Sequence, residues 1–158
     1  MTLWPQFPGT PTIYWPYAYE VSMNFTPHIY IAGPLMTGGT PELSVANAIK
    51  YAEILRLHNF APYVPHLNWF WNLQHQNPEQ EWLDLDFKWI LRCDGLLRLP
   101  GASYGADKEM VFAQENNKPV YFSLHELFRV YKRTPDVEML RQRFNIIVFP
   151  PEPHHDSL

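Results

Sequence analysis

The chain has 158 residues, 46% hydrophobic and 18% charged, enough apolar mass for one domain with a real core and too much for a disordered segment. A formal net charge of −4 leaves no basic field to gather nucleic acid nonspecifically. The single cysteine, Cys93, excludes an internal disulfide, and no apolar run approaches the roughly 18 residues of a membrane helix.

Residues 1–27 form an extension that opens "MTLWPQFPGTPTIYWPYAYE", dense in proline and aromatic side chains. Proline at that density excludes helix and central strand. Trp4, Phe7, Tyr14, Trp15, Tyr17 and Tyr19 cannot build a core of their own, so the extension is expected to cover the body, a partner subunit or, as a lid, a site. It lacks the basic start and continuous apolar run of a signal peptide, and a soluble, cytoplasmic protein without a membrane span is expected. The body covers 28–149. Residues 150–158 read as a frayed tail, whose His154 and His155 are more simply solvated than metal-bound.

In the body, "HIYIAG" is a short buried strand stopped by Gly33 and Pro34. "LMTGG" is a loop, after which Thr40, Pro41 and Glu42 supply an N-cap, a proline at the first helical position and an early acid. Val45, Ala48, Ile49, Ala52 and Leu55 carry that helix to about His58. "APYVP" is a second strand, "HLNWFWNLQHQNP" an aromatic loop, and "EQEWLDLDFKWILRC" a helix with Trp82, Leu85 and Trp89 inward, joined by Phe87 or Leu83. "DGLLRLPG" is a third strand, "GADKEMVFAQEN" a helix and "KPVYF" a fourth strand; two short helices and a last strand, "NIIVF", follow. Strands alternating with helices predict an α/β fold: a flavodoxin-like or Rossmann-like three-layer sandwich on a mostly parallel sheet of four to five strands.

In such sheets ligands bind beyond the carboxyl ends of the strands, at the switch point. The segments there are Gly33 to Gly39, Pro65 to Trp71 and Pro100 to Glu109. The first, with Gly33 and Pro34, is neither a P-loop nor a dinucleotide fingerprint, but its amides can hold an anion or sugar hydroxyls. The second offers His66 and the flat faces of Trp69 and Trp71, suited to stacking on a nucleobase or to packing in a core or interface. No spacing around His66 suits zinc, and no metal or cofactor is expected.

The third segment carries a carboxylate. Glu109 falls on the stripe of Ala106, Met110 and Ala113, and an acid there is costly to bury unless paired or used. It caps or pairs with Lys108 or Lys118, or it serves as a nucleophile kept ionised by the helix dipole. Asp94, at the start of the third strand, supplies a second carboxylate, and two carboxylates in unequal environments can divide acid and nucleophile roles. Asp107 and Lys108 are expected in solvent.

"IYIAGP", "YVPH" and "LRCDGLLRLPG-ASYGADKEMVFAQENNKPVYF" together resemble the nucleoside 2-deoxyribosyltransferase superfamily over about residues 28–122, and most nearly its small phage-associated domains of unknown function. The resemblance implies a covalent deoxyribosyl-glutamate intermediate, with Gly105, Glu109 and Ala113 in the nucleophile's motif, Tyr30 and Gly33 on strand one, and Asp94 as the acid beside the base. Asp86 and Ser103 join the implied substrate-binding set. The implied activity is transfer of deoxyribose between bases of 2'-deoxynucleosides, with deoxynucleosides or deoxynucleotides and free nucleobases as its small-molecule partners. The alternatives are hydrolysis of deoxynucleoside 5'-monophosphates and a non-catalytic nucleotide-binding module. Ser103 stands where the transferases have an acid and the monophosphate hydrolases a serine; Met36 stands where those hydrolases have an arginine. The transferases complete their sites across subunits, which implies a homo-oligomer, with Asn145 the counterpart of a borrowed asparagine. No nucleic acid polymer is an expected partner.

Overall fold

Residues 25–144 are described by a computed structural model. The N-terminal aromatic run, the "NIIVF" segment, Asn145 and the His154–His155 tail lie outside them. The elements in chain order are β1 (His28–Ala32), α1 (Pro41–Leu57), β2 (Ala61–Tyr63), a 3-10 turn (Pro65–Leu67), α2 (Asn68–Gln74), α3 (Glu79–Arg92), β3 (Gly95–Arg98), α4 (Tyr104–Glu115), β4 (Val120–Tyr121), α5 (Leu124–Val130) and α6 (Val137–Phe144).

The four strands form one all-parallel sheet in the order β2-β1-β3-β4. Strand period two sends β1 side chains alternately to opposite faces. Ile29 and Ile31 join Leu97, Leu99 and Tyr121 under α1, α5 and α6, with Ala48, Leu55, Leu127 and Leu140 from those helices. Tyr30 and Ala32 join Leu96 on the other face, under Ile90 of α3 and Ala106 and Ala113 of α4. Helices on both faces of a parallel sheet make the three-layer α/β sandwich. Burying an isoleucine such as Ile29 or Ile31, both 0% exposed, contributes roughly 1.5–3 kcal/mol.

Local chemistry sets the helix ends. Thr40 caps α1 by accepting from the Leu43 amide, with Pro41 at the first helical position. Ser103 caps α4 through the Ala106 amide, and Ser123 caps α5 through that of Glu126. Val45, Ala48, Ala52 and Leu55 of α1 are buried as the spacing predicts, but Ile49 is exposed and Ile54 takes its place inside.

Two expectations fail. The aromatic segment after β2 is a 3-10 turn running into the short helix α2, which buries none of its residues. Its apolar residues are consecutive rather than periodic, so it shows no stripe. The inward face of α3 is Leu83, Asp86 and Ile90, not Trp82, Leu85 and Trp89. Trp89 is 43% exposed and lies flat on Tyr63, centroids 4.6 Å apart; the tryptophans flank the helix contact because it has room for smaller side chains.

Candidate functional site

Parallel strands put all their carboxyl ends on one side, and β1 connects to β2 on one flank while pairing β3 on the other, so the loops beyond β1 and β3 part there. The turn after β2 forms the third wall. A cavity of about 530 Å³ opens between them, the size of a small-molecule site.

The two loops hold each other. Gly33 sits against Leu99: a Cβ at 33 would lie 3.0 Å from the leucine Cβ. Gly101 has φ +110°, and a Cβ there would meet Pro34 at 2.8 Å, so both its backbone conformation and its contact require glycine. Thr37 donates its hydroxyl to the Ala102 carbonyl across the gap. Pro34 thus braces the wall instead of lining it. Arg98, 8% exposed, fixes the loop from beneath. Its guanidinium donates to the carbonyls of Leu99 and Gly101 and to Asp107 Oδ1 at 2.8 Å. Asp107, exposed as expected, also pairs with Arg98, whereas Lys108 is half-buried and lies over the Tyr104 ring at 4.3 Å.

Glu109 faces the cavity from the second turn of α4, buried with Ala106 and Ala113. Its Oε1 accepts a 2.9 Å hydrogen bond from the Tyr30 hydroxyl. Burial, then the charge of Asp86, push its carboxyl up to about 8. The expectation of a dipole-ionised acid is corrected: Glu109 lies beyond the first turn, where the dipole has faded, and burial dominates. The Tyr30 bond and the more distant charge of Arg98 act the other way. Tyr30 itself is raised well above its ordinary value, first by burial and then by the Glu109 charge.

The second carboxyl is Asp86, not Asp94. Asp86 points inward from α3, lines the cavity, and is pushed up to about 7 by burial. It accepts from Asn68 Nδ2 at 3.3 Å. Its charge raises Glu109 in turn, so the two buried carboxyls do not ionise independently. Asp94 lies at the opposite end of the sheet. It precedes β3, accepts from the His28 amide at 2.7 Å and lies 3.5 Å from the His28 ring, binding the amino ends of β1 and β3 together. In a parallel sheet a residue before a strand cannot reach the pocket after it.

Of the remaining expected residues, Gly33, His66, Trp69, Ser103 and Gly105 line the cavity. His66 is buried with both ring nitrogens free of hydrogen bonds, and burial lowers its basicity. The Gly33 and Pro34 carbonyls lie near enough to oppose that shift, without hydrogen-bond geometry. A Cβ on Gly105 would meet nothing within 4 Å, so glycine keeps that wall open. Trp71 is not in the wall; it stands edge-on behind Trp82, centroids 5.3 Å apart. Asn68 and Asn72 also line the cavity without having been expected there, as does Trp82, which was expected only on the inward face of its helix. The signal for them was the one-turn spacing of Asn68 and Asn72, matched by that of Trp82 and Asp86.

Among the described residues no group of three or more His, Cys, Asp or Glu is placed to hold a metal ion, and no helix is long and apolar enough to cross a membrane. No curated protein matches the chain. The profile of a domain family of unknown function, DUF4406, matches residues 27–122. That span holds all four strands, both loops and the helix bearing Glu109, and the chain belongs to the DUF4406 family.

Proposed function

We propose that the protein cleaves the N-glycosidic bond of 2'-deoxynucleosides and transfers the sugar to another nucleobase. One observation carries the reading: the buried Tyr30–Glu109 hydrogen bond, with Asp86 in the same cavity wall. A buried carboxyl with a phenol aimed at one oxygen and a second carboxyl beside it supplies a nucleophile and an acid from one shared proton. The productive arrangement has that proton on Asp86 and leaves Glu109 as the carboxylate that accepts from Tyr30; burial raises Glu109 to about 8 against about 7 for Asp86, so this is the less populated of the two arrangements.

Glu109 then attacks C1'. The C1'–N bond breaks, its electron pair goes to the departing base, and the Asp86 proton moves to a ring nitrogen. The glutamyl ester at C1' is next attacked by an incoming base, whose proton returns to Asp86 as the ester bond breaks and restores the Glu109 carboxylate. Trp69 and Trp82 line the same cavity and supply flat apolar faces for the ring. As with the transferases that the sequence resembles, we place the working form in a homo-oligomer.

The second reading is hydrolysis of deoxynucleoside 5'-monophosphates, favoured by Ser103 and Gly105 at the amino end of α4, where a phosphate would meet helix amides. It ranks lower because the lining side chains include Glu79, Asp86 and Glu109 and, among the described residues, no lysine or arginine. Incubation with deoxyinosine and adenine, and in parallel with deoxynucleoside 5'-monophosphates alone, followed by chromatography, separates the readings. Deoxyadenosine formed by the wild type and not by Glu109→Ala supports transfer. Free base from deoxynucleotides alone, without an acceptor, would replace it with the second reading, and no product from either substrate would end both.

A further inference from the structure

Helices α2 and α3 are joined by two hydrogen-bonded rungs. Asn68 Nδ2 donates to Asp86 Oδ1 at 3.3 Å, and Trp82 Nε1 donates to Asn72 Oδ1 at 2.8 Å. Residues 68 and 72, and residues 82 and 86, are each four apart, so the rungs are separated by one turn, about 6 Å along the axes. The backbone amide of Asn77 also donates to Asn72 Oδ1, at 3.0 Å. Two donors on one oxygen fix the amide: an indole N–H and a peptide N–H can only meet an acceptor, so the Asn72 nitrogen must point the other way. That NH₂ group donates to no other described residue, and Asn72 lines the cavity.

On the reading that this cavity cleaves deoxynucleosides, C1' lies at Glu109 and the departing ring nitrogen near Asp86. A planar base leaving that point along the wall extends by about the spacing of the rungs, past Trp82 toward Asn72. We infer that Asn72 is a specificity-determining residue that presents a fixed hydrogen-bond donor to the far edge of the nucleobase and selects bases with a carbonyl oxygen there over bases with an amino group. The class selected is the keto nucleobases, 6-oxopurines and 4-oxopyrimidines. An amino group facing the Asn72 NH₂ sets donor against donor and leaves both unpaired, the arrangement in which hydrogen-bond readout discriminates most strongly.

The test compares kcat/KM for deoxyinosine and deoxyadenosine, each as sole donor with a common acceptor base, in the wild type and two variants. Asn72→Asp keeps the shape and the acceptor oxygen for Trp82 and Asn77 but turns the donor into an acceptor. Asn72→Leu removes both. The wild type is expected to favour deoxyinosine by about tenfold or more, Asn72→Asp to reverse the preference and Asn72→Leu to bring the ratio near one. A ratio that stays the same in all three, with turnover intact, overturns the inference and leaves the proposed function standing. Wild-type protein that turns over neither substrate overturns both. A second measurement does not depend on turnover: by calorimetry on Glu109→Ala protein, hypoxanthine should bind more tightly than adenine, and the added Asn72→Asp change should reverse that order. Equal binding of the two bases, or an unchanged order, counts against Asn72 as the reader.

Discussion

Replacing Glu109 by glutamine should make the protein more stable, increasingly so as pH rises from about 4.5 to about 8. The glutamine keeps the shape, accepts from Tyr30 and offers its NH₂ to Asp86, where the native pair must hold two carboxylates once both ionise. Burial and the Asp86 charge raise the Glu109 carboxyl from 4.5 to about 8. An acid whose folded-state pKa is raised destabilises the fold when it must ionise. Below about pH 4.5 both states hold the proton and the site has no effect. Between there and about pH 8 the unfolded chain gives up its proton first, so stability falls as pH rises, and the full penalty is present above the folded value. Converted at 1.36 kcal/mol per unit, the shift amounts to roughly 5 kcal/mol. Asp86, which shares the proton, stays buried in the variant and retains part of that cost, so a gain of about 2 kcal/mol is expected at pH 8.5. For a chain of this length that is about 4–8 °C in Tm. Thermal unfolding followed by circular dichroism, wild type against Glu109→Gln at half-unit steps from pH 4.5 to 8.5, reads it directly. A difference independent of pH, or a glutamine variant less stable at pH 8.5, would refute a buried carboxyl held against ionisation.

Tyr30→Phe deletes a buried hydrogen bond to the attacking carboxylate. It should lower kcat/KM about 10- to 100-fold and move the acidic limb of the pH–rate profile upward, since that bond favours the ionised glutamate; steady-state rates across pH check both. Asp94→Asn should leave turnover within about twofold while costing about 0.5–1 kcal/mol in urea unfolding, because its partner is the β1 backbone and not the cavity. Arg98→Met strips two loop carbonyls and Asp107 of their donor, for an expected loss of about 2–3 kcal/mol in the same assay.

The four strands and the faces of α1 and α4 were legible because apolar period and turn chemistry agreed there. Gly33 and Pro34 end β1, Thr40 and Pro41 open α1, and Ala106, Glu109 and Ala113 share one buried stripe. Reading Glu109 as buried needed only helical phase. Its protonation could not be read that way, because position in the helix argues for the charged form while burial depends on Tyr30 and Asp86, which arrive from other elements. Asp94 was misplaced by nearness in sequence: it borders the right strand at the wrong end, whereas Asp86, in the middle of a helix, projects to the carboxyl side. The phase of α3 was obscured by its tryptophans, which count as apolar but flank the helix contact. The α2 segment, with no periodic stripe, gave no sign of its helix, so the paired rungs of Asn68 and Asn72 stayed hidden.

The order of strands has a consequence for how this protein comes into being. The first strand of the body is central, and its register with β3 is set only after more than sixty intervening residues have been made. Closure over such separations is slow relative to local helix formation. Tyr30 and Glu109, 79 positions apart, therefore belong to the contacts that close late. The exposed Asn77–Pro78 connection divides the contributors cleanly: Tyr30, His66, Asn68 and Asn72 precede it, and Asp86, Arg98 and Glu109 follow it. Cut there, each half would be inert alone, and recovered turnover on mixing would time the docking of β3 against β1.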